Sequence, residues 1–148
     1  MKIALGCDHN GVELKNILID HLKRLGHDYH DFGCYSNESV DYPDVAQDVA
    51  KSISAGNYEQ GLLICGTGIG MSIAANKIPG IRAALCQDAF NAELARQHND
   101  ANILCIGATV TPEAEAINIL KSYLSASFEG GRHERRVNKI EADKTEAD

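Results

Sequence analysis

Short, mainly apolar runs alternate along this chain with stretches in which apolar residues recur every three or four positions. Leu62–Cys65 is unbroken, and Met1–Cys7, Ile81–Cys86 and Asn102–Gly107 are apolar apart from Lys2, Arg82 and Asn102 near their starts. An uninterrupted run of this length suits a strand buried on both faces. His27–Phe32 reads as a shorter, more polar strand. Between these runs the spacing turns helical. Val12, Leu14, Ile17, Leu18, Leu22 and Leu25 share one face, and Gly26 stops the pattern. Val45, Val49 and Ile53 follow Pro43, a good first helical residue, and Gly56 closes them. Ser72–Lys77 reads as helix, Asp88 caps another that runs to about His98, and Thr111 caps a last one with Pro112 at its first position, running to about Phe128. Five strands separated by helices in single file predict a parallel sheet covered on both faces, that is, one doubly wound α/β domain over residues 1–129. After Gly130-Gly131 the chain turns charged through Arg132–Ile140. That composition predicts a short helical arm on a glycine hinge, with a frayed acidic end reaching Asp148.

Composition narrows the function. The chain has 148 residues, 44% of them hydrophobic, enough for one well-buried domain and too few for two. No apolar stretch approaches membrane-spanning length, and the opening residues read as a strand rather than a signal peptide. The cysteines (Cys7, Cys34, Cys65, Cys86 and Cys105) are odd in number, widely spaced and without a C-x-x-C pair. Reduced thiols in the cytoplasm are therefore expected, not a disulfide framework or a zinc site. Cys7, Cys86 and Cys105 are assigned to the core and Cys34 to an exposed loop. A formal charge of −7 and the absence of Trp argue against nucleic-acid binding.

The stretch richest in chemistry is Gly61-Leu62-Leu63-Ile64-Cys65-Gly66-Thr67-Gly68-Ile69-Gly70-Met71-Ser72. A buried run ends in a cysteine, passes through alternating glycines and opens into a helix. Gly66, Gly68 and Gly70 let the backbone turn sharply and come close to a ligand. Free N–H groups at the start of the helix favour negative charge there. Cys65 thus stands beside an oxyanion cradle. If the strand order is flavodoxin-like, strands one and three flank the switch point where ligands bind, and Asp8-His9 faces Cys65-Gly66-Thr67.

Six segments, taken together and in order, resemble one family: Gly6-Cys7-Asp8-His9, Asp41-Tyr42-Pro43, Cys65–Gly70, Ala74-Ala75-Asn76-Lys77, Arg96-Gln97-His98-Asn99-Asp100 and Gly130-Gly131-Arg132-His133. The chain is similar, from residue 1 to about 140, to type B ribose-5-phosphate isomerases, a family that also holds allose-6-phosphate and galactose-6-phosphate isomerases. The resemblance implies a Rossmann-like fold and a cytoplasmic aldose–ketose isomerase of carbohydrate metabolism. It implies a cis-enediolate, no metal and no cofactor, and a homodimer or dimer of dimers with active sites shared between subunits. It makes Cys65 the base, with Thr67 and the N–H groups of Gly66, Gly68 and Gly70 around the enediolate. It gives ring opening to His98, assisted by Asp8 or Asn99, and phosphate binding to His9, Arg132 and Arg136, the arginines from the neighbouring subunit. Tyr42 orients the sugar. One departure is Gly107-Ala108-Thr109, since many members carry a basic residue where this chain has Thr109.

Blander readings compete with each assignment. A cysteine ending a buried strand is more often a small core hydrophobe than a base. His98 near a helix C-terminus is ordinarily a dipole-compensating residue, Asp8 an N-cap, and the Arg132–Arg136 pair a solvated face. None of these explains why the unusual residues should gather at strand carboxyl ends, which is the expectation here. A non-catalytic nucleotide-binding domain is the reading from another class. It fits poorly: a dinucleotide fingerprint wants a third glycine where Met71 stands, and a P-loop wants Gly-Lys-Ser or Gly-Lys-Thr. A redox protein would want paired cysteines.

Overall fold

In the computed structural model, which describes residues 1–142, five parallel strands form one sheet. They are β1 (Lys2–Cys7), β2 (Asp28–Asp31), β3 (Gln60–Cys65), β4 (Ala83–Leu85) and β5 (Ile103–Gly107). The helices are α1 (Val12–Arg24), α2 (Tyr42–Ser54), α3 (Ile69–Ala75), α4 (Ala89–Asn99), α5 (Glu113–Ser125) and α6 (Arg132–Ala142). Side chains alternate across the sheet with the two-residue period of a strand. Ile3, Leu5, Leu62, Ile64, Leu104 and Ile106 bury against α1, α4 and α5, with Leu18, Leu22, Ile119 and Tyr123 among their partners. Ala4, Leu63, Cys65, Ile103 and Cys105 turn the other way, onto Val49 and Ile53 of α2 and Met71 and Ala75 of α3. Cys7, Cys86 and Cys105 lie in the core as expected. Because both sheet faces are covered, the central strands had to be apolar throughout.

The sheet order is β2-β1-β3-β5-β4. The expected adjacency of β1 and β3 is present, so the order reverses between them. A flavodoxin-like arrangement would have placed β4 next to β3; instead β5 lies there and β4 forms the edge. Burial explains the exchange. β5 is buried at every residue, whereas β4 is three residues long and only half-buried. The polar strand β2 forms the opposite edge.

Helix ends follow local chemistry with two corrections. Asp88 caps α4, its carboxylate accepting the N–H of Asn91 at 2.7 Å. Thr111 does not cap α5: Pro112 occupies that position in extended conformation, and the helix begins at Glu113. Thr111 is thereby too far back to reach the first-turn N–H groups, and its side chain is buried instead. The same helix stops at Ser125 because Ala126 is extended, short of the expected Phe128. Cys34, expected as an exposed loop thiol, is half-buried against the core face that holds Cys7. The arm predicted from residue 130 is helical to Ala142, and its expected acidic end, residues 143–148, lies outside the described residues. Val137 and His133 bury against the body of the chain, with α6 lying on α4.

Candidate active site

β3 delivers Cys65 to the carboxyl edge of the sheet, and the chain then folds back on itself. Gly68 takes a left-handed conformation (φ 78°), which brings its N–H onto the Cys65 sulfur at 3.2 Å. A side chain at Gly68 would meet the β5 backbone, 3.0 Å from the Ile106 carbonyl carbon and 3.1 Å from the Gly107 nitrogen. Only glycine combines this dihedral with this approach. The Thr67 hydroxyl accepts the N–H of Ile69 at 3.3 Å and holds the turn. The N–H groups of Thr67 and Gly70 have no hydrogen-bond partner among the described residues, as the start of a helix requires.

Three neighbouring elements hold the loop. Asp8, buried at the end of β1, has its N–H on the Ile64 carbonyl at 3.0 Å, and its carboxylate accepts the N–H of Asn10 at 2.9 Å. Asp8 is no helix cap; Gly11 occupies that position in α1. The ring of Tyr42 packs on Gly70, where an added Cβ would lie 2.5 Å from ring carbons. Thr109 donates from its backbone N–H (2.9 Å) and its hydroxyl (2.6 Å) to the Gly66 carbonyl. The residue singled out as a departure thus anchors the loop, a role its sequence position did not suggest. Asp8, Asn10, Tyr42, Cys65, Gly66, Thr67, Ile69, Gly70 and Ile73 line one open cleft of about 510 Å³. Asn10, Ile69 and Ile73 were not anticipated; Ile69 and Ile73 are half or more exposed, an unusual setting for isoleucine. His9 stands beside the cleft with its Nδ1 accepting the N–H of Val40 at 3.3 Å.

The remaining expected residues are elsewhere. His98 and Asn99 end α4, which feeds the amino end of β5, so they lie at the opposite edge of the sheet from Cys65. The strands are five or six residues long, so this separation is about 15–20 Å. Arg132 and Arg136 are exposed on α6 and form no ion pair among the described residues. The expectation that all these residues gather at strand carboxyl ends is incorrect for the single chain, because a helix following a parallel strand runs back to the sheet's amino edge. His98 there stacks on His133, ring centroids 4.1 Å apart and planes within 7°. Glu129 reaches both rings, at 3.9 and 3.5 Å. Burial and the neighbouring His98 hold His133 below its ordinary pKa of 6.5. His98, Glu129 and His133 are the described residues whose ligand atoms come close enough for a metal ion, within 4.8 Å. The stacked rings send their nitrogen lone pairs into parallel planes, whereas a metal needs them to converge.

A doubly wound α/β fold with a cysteine, a carboxylate and a glycine loop around one cleft at its switch point defines a class: proteins that bind small ligands beyond the carboxyl ends of a parallel sheet. Residues 3–140 match the Ribose/Galactose Isomerase family, and the chain belongs to that family. It is 48% identical over 141 residues to ribose-5-phosphate isomerase B of Escherichia coli, covering 95% of each chain. The solved ribose-5-phosphate isomerase B of Clostridium thermocellum superposes with a TM-score of 0.97 at 48% identity, covering all of both chains. That of Mycoplasma genitalium with bound ribulose-5-phosphate gives 0.93 at 42% identity, covering 99% of this chain and 97% of the other. No helix among the described residues is long and apolar enough to cross a membrane.

Proposed function

We propose that this protein interconverts ribose 5-phosphate and ribulose 5-phosphate, with Cys65 as the base. The observation that carries the reading is the Gly68 N–H held on the Cys65 sulfur, in a cleft lined by Asp8, Tyr42 and Thr67. In the open-chain aldose, a Cys65 thiolate takes the proton from C2 and returns it to C1. Negative charge moves from sulfur to the former carbonyl oxygen in the first transfer, the C2 hydroxyl proton passes to that C1 oxygen within the cis-enediolate, and the charge returns from the C2 oxygen to sulfur in the second. The N–H groups of the Gly66–Gly70 loop, fixed by Thr109 and Thr67, serve both states, so little rearrangement is needed. Relatives of this identity carry ribose-5-phosphate isomerase names, and one holds ribulose-5-phosphate, which favours a pentose over the hexose 6-phosphates.

Part of the remaining machinery comes from a second copy. His98 opens the sugar ring, assisted by Asp8 or Asn99, and His9 with Arg132 and Arg136 holds the phosphate, the arginines arriving from the neighbouring subunit. What supports this is distance: one chain keeps His98 about a strand length from Cys65 and leaves both arginines exposed, with no ion pair among the described residues. Arg132 and Arg136 are four apart on α6, one helix face, and their planar guanidinium groups suit phosphate oxygens. A homodimer, or a dimer of dimers, would complete each site.

The test is the isomerisation rate on ribose 5-phosphate, with allose and galactose 6-phosphates beside it. Cys65→Ala is expected to lose about 10²–10⁴-fold in kcat while keeping its melting temperature. Full activity in that variant would make Cys65 a packing residue and end the proposal. Cys65→Ala and His98→Asn, inactive separately, should regain activity when unfolded together and refolded as mixed oligomers. No recovery would place both residues in one chain's site.

A further inference from the structure

Two cysteines with no part in the isomerisation lie on hydrogen-bonded backbone segments beside the cleft. Cys7 ends β1, and Cys34, 27 residues later, opens the loop that follows β2. Backbone bonds hold the two segments together. The Cys34 N–H donates to the Cys7 carbonyl at 2.8 Å, and the Cys7 N–H to the Gly33 carbonyl at 2.6 Å. The Cys7 thiol donates to the Cys34 carbonyl at 3.6 Å, and the Cys34 thiol to the Ser36 carbonyl at 3.5 Å. Cys34 packs on the same core face as Cys7 but is partly exposed, whereas Cys7 is buried. The buried Lys15 ammonium closes the cluster, donating to the Cys34 carbonyl at 2.6 Å and to Asp31 at 2.7 Å.

We propose that Cys7 and Cys34 are a reactive pair that closes to a disulfide when the protein meets a low-molecular-weight disulfide of the glutathione type, and that closure disturbs the isomerase cleft. The Cys34 thiolate attacks one sulfur of glutathione disulfide, the bond between the two glutathione sulfurs breaks, and one glutathione leaves. Cys7, giving up its proton to water, then attacks the Cys34 sulfur and expels the second glutathione. Two protein thiols are oxidised and one glutathione disulfide is reduced to two thiols. Cys34 starts the reaction because it is the accessible partner. Burial pushes the Cys7 thiol up to about 12, and Lys15 opposes that rise, so the second step is the slow one. Closure draws the sulfurs to about 2.05 Å. Cys7 immediately precedes Asp8, and the loop beginning at Cys34 reaches His9 through Val40 and ends at Tyr42. Movement at the pair therefore reaches the cleft wall from two sides.

The bridge is independent of the proposed activity; only its effect on rate rests on that reading. The full chain is incubated with glutathione disulfide, mapped by non-reducing peptide mass spectrometry, and assayed on ribose 5-phosphate. The expected result is a Cys7–Cys34 peptide, loss of two of the five thiols, and a several-fold fall in rate that dithiothreitol reverses. Cys34→Ser should keep its rate under the same oxidant. Glutathione remaining on Cys34, a bridge through Cys65, or five free thiols would overturn the pair. A mapped bridge with an unchanged rate would overturn its link to the cleft, and an inactive reduced protein that still forms the bridge would fault the isomerase reading alone.

Discussion

Gly68→Ala tests whether the loop's backbone, rather than its sequence alone, makes the site. Gly68 sits at φ 78° and ψ −12°. An alanine in this left-handed region costs about 1 kcal/mol through its Cβ. The new Cβ would also stand 2.5 Å from the Leu85 side chain, 3.0 Å from the Ile106 carbonyl carbon and 3.1 Å from the Gly107 nitrogen. Leu85 can turn aside at the rim, but the β5 backbone cannot. Overpacking of that kind costs about 1–3 kcal/mol, which makes the total about 2–4 kcal/mol. For a chain of this size each kcal/mol moves the melting temperature by about 2–4 °C, so a fall of roughly 4–16 °C is expected. Gly26→Ala separates the two contributions, since Gly26 has nearly the same φ (79°) with nothing within 4 Å of an added Cβ. It should lose only the conformational part, about 1 kcal/mol. The rate should fall by about 10² or more, because the N–H aimed at the Cys65 sulfur moves with the loop. The assay is a pair of calorimetric melts and kcat/KM on ribose 5-phosphate. A Gly68→Ala protein melting with Gly26→Ala and isomerising like the parent would refute both the packing and the cradle.

Gly70→Ala should behave differently: its Cβ would meet the Tyr42 ring at 2.5 Å, but Tyr42 is 40% exposed and can swing outward. Stability should change by less than about 1 kcal/mol while KM for the sugar phosphate rises, and a lowered melting temperature with unchanged KM would contradict this. The pH dependence of stability follows from His133. Its folded pKa is depressed by burial, by the neighbouring His98 and by Arg132 and Arg136, with Glu129 opposing. Below about pH 6.5 the unfolded chain therefore binds the proton more readily, and stability falls as pH drops through that value. Between pH 7.5 and 5.5 the parent should lose more in melting temperature than His133→Phe, which keeps a ring on His98 without a titrating group. Equal losses would show that the stack does not resist protonation.

The alternation of apolar runs with helically spaced residues was enough to determine a five-stranded parallel α/β domain, because strands buried on both faces must be apolar throughout. The glycine loop was legible for a similar reason: left-handed turns and close backbone approach leave few residue types to choose from, and Gly68 is one such position. Asp88 announced its cap because a carboxylate reaches first-turn N–H groups over a fixed local distance. Thr111 misled because Pro112 took the cap position and moved the helix start by one residue. What lay beyond the sequence was non-local. That β5 rather than β4 lies beside β3 depends on competition among strands for the buried centre, which no single segment records. Thr109 looked like a missing cation and proved to be the anchor of Gly66, across 43 residues. His98 carries its identity in the sequence, but only the antiparallel return of a helix behind its strand places it a strand length from Cys65. Local pattern determines elements and their chemistry; which elements meet is decided by burial summed over the whole chain.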